Sequence, residues 1–205
     1  MELFKALVKF LNFRELYFIM DCVLIGVSDR KQLRKIKDYE KFVSDYGQFL
    51  AKHFENVIVT PDDGVYTDIA LEFGRIKGKK PIAYYPDKDT FYGYEHLKKN
   101  FHQYEVREIN GDWYKLNADL TKQARVVICL GFSPGVLIEL SFIKYHQKYG
   151  KFRDPRLKNI HLLIDRRTID WRLPRSFDEQ IENIFYYSSL RSLEKILNER
   201  REYIE

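Results

Sequence analysis

The feature that most constrains this chain is a repeated change of hydrophobic period. Short runs rich in β-branched residues, with almost every side chain apolar, alternate with longer stretches whose apolar residues recur every three to four positions. Strands buried on both faces read as continuous apolar runs, and amphipathic helices read at the 3.6-residue period. Their alternation is the pattern of βαβ units around a parallel sheet. Cys22 to Val27, Val57 to Thr60, Pro81 to Tyr85, Val126 to Leu130, Ile160 to Asp165 and Ile184 to Ser188 read as strands. Helical patterns cover Lys31 to Phe54, Val65 to Ile76, Leu116 to Ala124, Gly135 to Gln147 and Leu190 to Tyr203, and Ser176-Phe-Asp-Glu179 matches a capping box. The expected fold is an α/β domain with a doubly wound, mostly parallel sheet and helices on both faces. Asp87 to Trp113 breaks the rhythm; it reads either as a lid or binding loop, or as a short helix and hairpin covering a sheet edge.

The 205 residues suit one domain, expected over 20–205, preceded by an extension over 1–19. That extension mixes apolar residues with Lys5, Lys9, Arg14 and Glu15 and has no small-residue cleavage site, which favours an amphipathic helix over a signal peptide. No apolar run approaches the roughly 20 residues a membrane span needs. Cys22 and Cys129 both sit inside strand runs, as small buried hydrophobes do, so a reducing, cytoplasmic setting is expected. The 35 basic and 30 acidic residues are interspersed, giving +5 with no basic stripe. This argues against nucleic acid as the main partner, whereas short groups such as Lys77, Lys79 and Lys80, or Arg166 and Arg167, suit a small anion or a solvated face. The five histidines show no metal-ligand spacing, and neither a metal nor a cofactor is expected.

Ligands of open parallel sheets bind beyond the carboxyl ends of the strands, where helix N-termini converge. Three loops hold that position. Gly26-Val-Ser28-Asp29 pairs a glycine with a hydroxyl that can meet a phosphate or cap a helix. Asp62-Asp63-Gly64 opens the helix at Val65; its carboxylates suit the helix dipole and would repel a phosphate, so ribose hydroxyls are the better partner. Gly131-Phe-Ser133-Pro-Gly135-Val136 follows the most apolar strand and opens a helix whose free N–H groups form an anion site. Glu139 lies one turn inside that helix. The ordinary alternatives are a strand-to-helix turn and a solvated glutamate. A small phosphorylated molecule, such as a nucleotide, is the expected ligand, held by Gly26, Ser28, Asp63, Gly64, Gly131, Ser133, Gly135 and Val136, with Glu139 as the candidate catalytic group.

The order Gly26-x-Ser28, Gly64-Val-x-x-Asp68, Gly78, Pro86-Asp87 and Gly131-x-x-x-Gly135-x-x-x-Glu139 resembles the Rossmann-like superfamily of lysine decarboxylase-like proteins. That superfamily includes the cytokinin-activating LOG phosphoribohydrolases and the DprA/Smf-related proteins. Its hallmark Pro-Gly-Gly-x-Gly-Thr-x-x-Glu is kept here at Gly135 and Glu139, with Gly131, Phe132 and Ser133 replacing Pro-Gly-Gly and Val136 replacing Thr. The family's catalytic arginine falls near Leu116, among Lys115, Lys122 and Arg125. The resemblance implies hydrolysis of the N-glycosidic bond of a nucleoside 5′-monophosphate, and a homodimer. The lost residues point instead to a non-catalytic nucleotide sensor, and the DprA branch to a single-stranded nucleic-acid binder.

Overall fold

A computed structural model describes residues 20–33, 35–88, 94–152 and 154–204. Seven strands form one sheet: β1 (Asp21–Gly26), β2 (Asn56–Val59), β3 (Ile82–Pro86), β4 (Glu105–Ile109), β5 (Val126–Leu130), β6 (His161–Asp165) and β7 (Ile184–Tyr187). Their order is β4-β3-β2-β1-β5-β6-β7 and every pairing is parallel. The helices are α1 (Tyr39–His53), α2 (Val65–Lys77), α3 (Trp113–Leu120), α4 (Pro134–Lys148), α5 (Arg175–Asp178) and α6 (Leu190–Ile204).

Successive strand side chains point to opposite faces, so each apolar strand feeds two cores. Cys22, Leu24, Val57, Val59, Ile128 and Leu130 meet α1, α2 and α6 through Tyr46, Leu50, Ile69, Phe73 and Leu193. Val23, Ile25, Ile58, Val127 and Cys129 meet α3 and α4 through Leu120, Val136, Leu140 and Ile143. The doubly wound α/β expectation therefore holds, with the sheet wholly parallel. Among the described residues no helix is long and apolar enough to cross a membrane.

Three local expectations need correction. The helix expected from Lys31 begins at Tyr39: Asp29 caps a single 3-10 turn at Arg30–Gln32, Leu33 is buried, and Asp38 caps α1 by accepting from the Lys41 N–H at 3.0 Å. The interruption after Asp87 contains a strand. Its sequence, Glu-Val-Arg-Glu-Ile, is charged because β4 is an edge strand, which hid it from the apolar pattern. It follows 3-10 turns at Tyr94–Gln103 and pairs with β3 in parallel, so the edge is covered by added sheet and not by a hairpin. Ser176 lies inside α5 and does not precede it. The expected extension over 1–19 and residues 89–93 of the interruption lie outside the described residues.

From β1 the chain winds outward to β2, β3 and β4, then returns to place β5 on the other side of β1. The helices that follow β1 and β5 thus lie on opposite faces, so the carboxyl ends of these two strands mark the sheet's switch point, the crevice position at which open α/β sheets bind ligands.

Candidate functional site

The crevice is organised around the Val27 peptide. Its N–H donates to the Leu130 carbonyl and its own carbonyl accepts from the Val65 N–H, each at 3.2 Å. One residue thereby joins the ends of β1 and β5 to the start of α2. Close approach demands glycine on both sides. A Cβ at Gly64 would stand 2.8 Å from the Val27 oxygen. One at Gly131 would stand 2.8 Å from Val27 Cγ1, on a backbone with φ +100° that disfavours any side chain. Gly26, Ser28, Gly64 and Gly131, named from sequence on different loops, are therefore neighbours.

Ser133 caps α4, its hydroxyl oxygen accepting from the Val136 N–H at 3.3 Å, and Pro134 occupies the first helical position. The Ser133 proton stays available to an anion. Val136 itself is core, 2% exposed, and its N–H is already given to Ser133, which leaves the Gly135 N–H as the open donor of the turn. A Cβ at Gly135 would meet nothing nearer than the Ser133 hydroxyl at 3.8 Å, so the helix mouth is open there.

Glu139, one turn further on, is 8% exposed and its carboxyl has no hydrogen-bond partner among the described residues. Burial alone pushes its carboxyl up to about 8. Its charge acts on two neighbours. The Cys129 thiol is raised by burial and then by Glu139; the Tyr66 hydroxyl is raised by burial, then by Asp62 and by Glu139. The carboxyl therefore sits between β5 and the first turn of α2. Tyr66 accepts from the Thr60 hydroxyl at 3.4 Å.

The acidic loop divides its labour. Asp62 accepts from the Ser28 hydroxyl at 3.5 Å and from the Asp63 N–H at 2.7 Å, whereas the exposed Asp63 carboxylate has no hydrogen-bond donor among the described residues. Asp68 is fully engaged, taking two bonds from Arg30 at 2.6 and 2.7 Å and one from the Tyr39 hydroxyl at 2.5 Å. Arg30 thus stands on the site's edge, at the helical turn after Ser28. The basic residues suggested by the family resemblance lie elsewhere: Lys115 and Lys122 pair with Asp119, and Arg125 donates to the Ile204 carbonyl at 2.9 Å.

Sequence reasoning missed the loop after β6. Asp165, wholly buried, accepts a two-point bond from Arg167, at 3.0 Å from Nε and 2.7 Å from Nη2. It also accepts from the Tyr46 hydroxyl, which lies 2.7 Å from that of Tyr187. The loop leans on the turn at Gly131, where the Thr168 carbonyl is 3.3 Å from the place of a Cβ, and the rings of Phe132 and Trp171 lie 4.8 Å apart at 45°. A tryptophan amid charged residues, Asp170-Trp171-Arg172, was the available signal. His146 and His161 bond the Ala118 and Asn159 carbonyls away from the crevice, and burial lowers both below the usual imidazole range. Among the described residues no three His, Cys, Asp or Glu side chains cluster to hold a metal ion.

No family model and no curated protein matches the sequence. Solved structures do match. The structure of TM1055 is 16% identical, with a TM-score of 0.60 over 88% of this chain and 99% of that one. The molybdenum cofactor binding protein of Rippkaea orientalis is 14% identical, with a TM-score of 0.56 over 88% and 96%. DNA processing protein A of Helicobacter pylori, described with a single-stranded DNA binding mode, is 14% identical, with a TM-score of 0.54 over 90% and 81%. The Rossmann-like architecture is shared with all three. At these identities the likeness is one of fold.

Proposed function

We propose that the crevice between β1 and β5 binds a nucleoside 5′-monophosphate and that Glu139 acts on its N-glycosidic bond. The observation that carries this reading is the Glu139 side chain, 8% exposed and without a hydrogen-bond partner among the described residues, one turn inside a helix whose mouth is open at Gly135. A buried carboxyl without a partner is costly, and such groups concentrate where chemistry uses them. We place the phosphate on the Gly135 N–H, with the Ser133 hydroxyl as a further donor and Gly26 and Gly131 leaving room; the Val136 N–H and the Ser28 hydroxyl are already given to Ser133 and Asp62. Ribose is placed against Asp63 and Gly64. Positions 135 and 139 share a helical face, so Glu139 meets the ribose end, where it orients or deprotonates a water or stabilises an oxocarbenium ion. With its carboxyl near 8, about a tenth is ionised at pH 7, and a base mechanism gains rate with rising pH until it levels above about 8.

A second reading, a nucleotide sensor without turnover, is favoured by a specific observation. Burial is the sole cause of the Glu139 shift, so no cation offsets it, and Arg30, on the site's edge, is committed to Asp68. One set of measurements separates the readings. AMP, but not adenine, is expected to raise the melting temperature, and Gly135→Asp to abolish that shift without unfolding the protein. Chromatography of AMP, GMP, CMP and UMP incubations then reports base release. A hydrolase releases base, and Glu139→Gln cuts its turnover roughly a hundredfold, the common scale of general-base catalysis; a sensor releases none. Equal stabilisation by adenine and AMP would remove the phosphate site from the crevice.

We further propose that two copies pair through α4. Ile138, Phe142 and Tyr145 follow one another on α4 at steps of four and three, the spacing of a helix seam, and Tyr149 and Phe152 continue the apolar surface past the helix end; Ile138, Tyr145, Tyr149 and Phe152 are exposed by 40% to 81%.

A further inference from the structure

The loop after β6 holds an aromatic ring out of the core by construction. Ile169 and Leu173, on either side of Trp171, are 7% and 4% exposed, while Trp171 is 48% exposed. The segment is tied further by Lys35 Nζ donating to the Ile169 carbonyl at 2.5 Å and by the Thr168 hydroxyl donating to the Asp165 carbonyl at 2.8 Å. Two buried anchors and these two bonds fix the backbone and leave the largest apolar side chain of the loop facing outward. Its one ring neighbour among the described residues is Phe132, at 4.8 Å, which belongs to the turn that opens α4. A half-exposed indole thus lies tilted against the phenyl ring of the residue between Gly131 and Ser133. Such a surface lowers its free energy by stacking a flat heteroaromatic ring, whatever the pattern of that ring's edge.

We propose that Trp171, backed by Phe132, is the stacking platform for the ligand's base, and that it favours bicyclic over monocyclic rings because overlap with the indole is larger. This assignment rests on the phosphate reading above and extends it from the sugar-phosphate end to the base. The chain has two tryptophans, so a Trp113→Phe protein reports from Trp171 alone. In that protein AMP is expected to quench tryptophan emission saturably, while ribose 5-phosphate raises the melting temperature and leaves the emission unchanged. Trp171→Ala is expected to weaken AMP about tenfold, within the range for losing one base–aromatic stack, and to leave ribose 5-phosphate affinity unchanged. GMP should follow AMP, and CMP and UMP should bind several-fold more weakly. If AMP and ribose 5-phosphate both stabilise the protein but Trp171 emission stays constant and Trp171→Ala binds AMP normally, the platform is refuted and the phosphate site survives. If neither ligand stabilises it, both proposals fall together.

Discussion

At the scale of single residues, Glu139 has a consequence for stability that is independent of any ligand. Its folded carboxyl titrates near 8 against an ordinary value of 4.5, so between those pH values the native state holds a proton that the unfolded chain has released. Stability therefore falls as pH rises from about 4.5 through 8. The slope is about 1.4 kcal/mol per pH unit, and the whole loss is on the order of 5 kcal/mol. Glu139→Gln removes the titration. Wild type and variant should melt together near pH 5, and the variant should melt higher at pH 9; parallel melting curves across that range would show that the carboxyl is not desolvated. The residues of this site were legible in sequence where a backbone rule picks them out. Gly131, Gly135 and Ser133 follow from a strand-to-helix turn, and Glu139 from helical spacing. Tyr66 and Trp171 were not legible, because an aromatic residue looks the same in a core, under a loop or on a mouth until its exposure is known. Arg30 was hidden because its partner, Asp68, is 38 residues away.

At the scale of elements, two two-point arginine–carboxylate pairs anchor loops of the site, and burial separates their worth. The Asp165 end of the β6 pair is wholly shielded and is held also by Tyr46, whereas in the Arg30–Asp68 pair 44% and 26% of the side chains are exposed. Removing one partner of a buried pair costs about 3–5 kcal/mol, and exposed pairs contribute about 0–1. Asp165→Asn should therefore lower unfolding free energy by about 3 kcal/mol in urea titrations, at the low end because Arg167 reaches solvent. Arg30→Ala should lower it by less than about 1. Equal losses would mean that the Asp165 network is no more shielded than the surface pair. The elements most legible in sequence were β5, whose residues are apolar throughout, and β6, apolar from Leu162 to Ile164. The strand at the charged edge, β4, obeyed a different constraint, the need of an edge to discourage further pairing. The start of α1 was blurred because Leu33 and Ile36, which precede the helix, pack into the core at helix-like spacing.

At the scale of the whole molecule, the stripe on α4 bears on assembly. Lys144 and Lys148 lie over the rings of Tyr145 and Tyr149 at 5.7 and 5.2 Å, a cover that a second copy would replace. Light scattering at micromolar concentration should give twice the chain mass, and Tyr145→Glu with Tyr149→Glu should give the chain mass with an unchanged circular dichroism spectrum. A monomeric wild type would refute the pairing. The strand order has a consequence for how the protein is made. The partner of β1 on its inner side, β5, lies roughly a hundred residues downstream, pairing Cys22 with Val126. While the ribosome is still adding those residues, β1 to β4 can join, but β1 presents an open apolar edge. The crevice is therefore among the last features to form, and a nascent chain that stalls before β5 carries a strand edge exposed to aggregation and has no site at all.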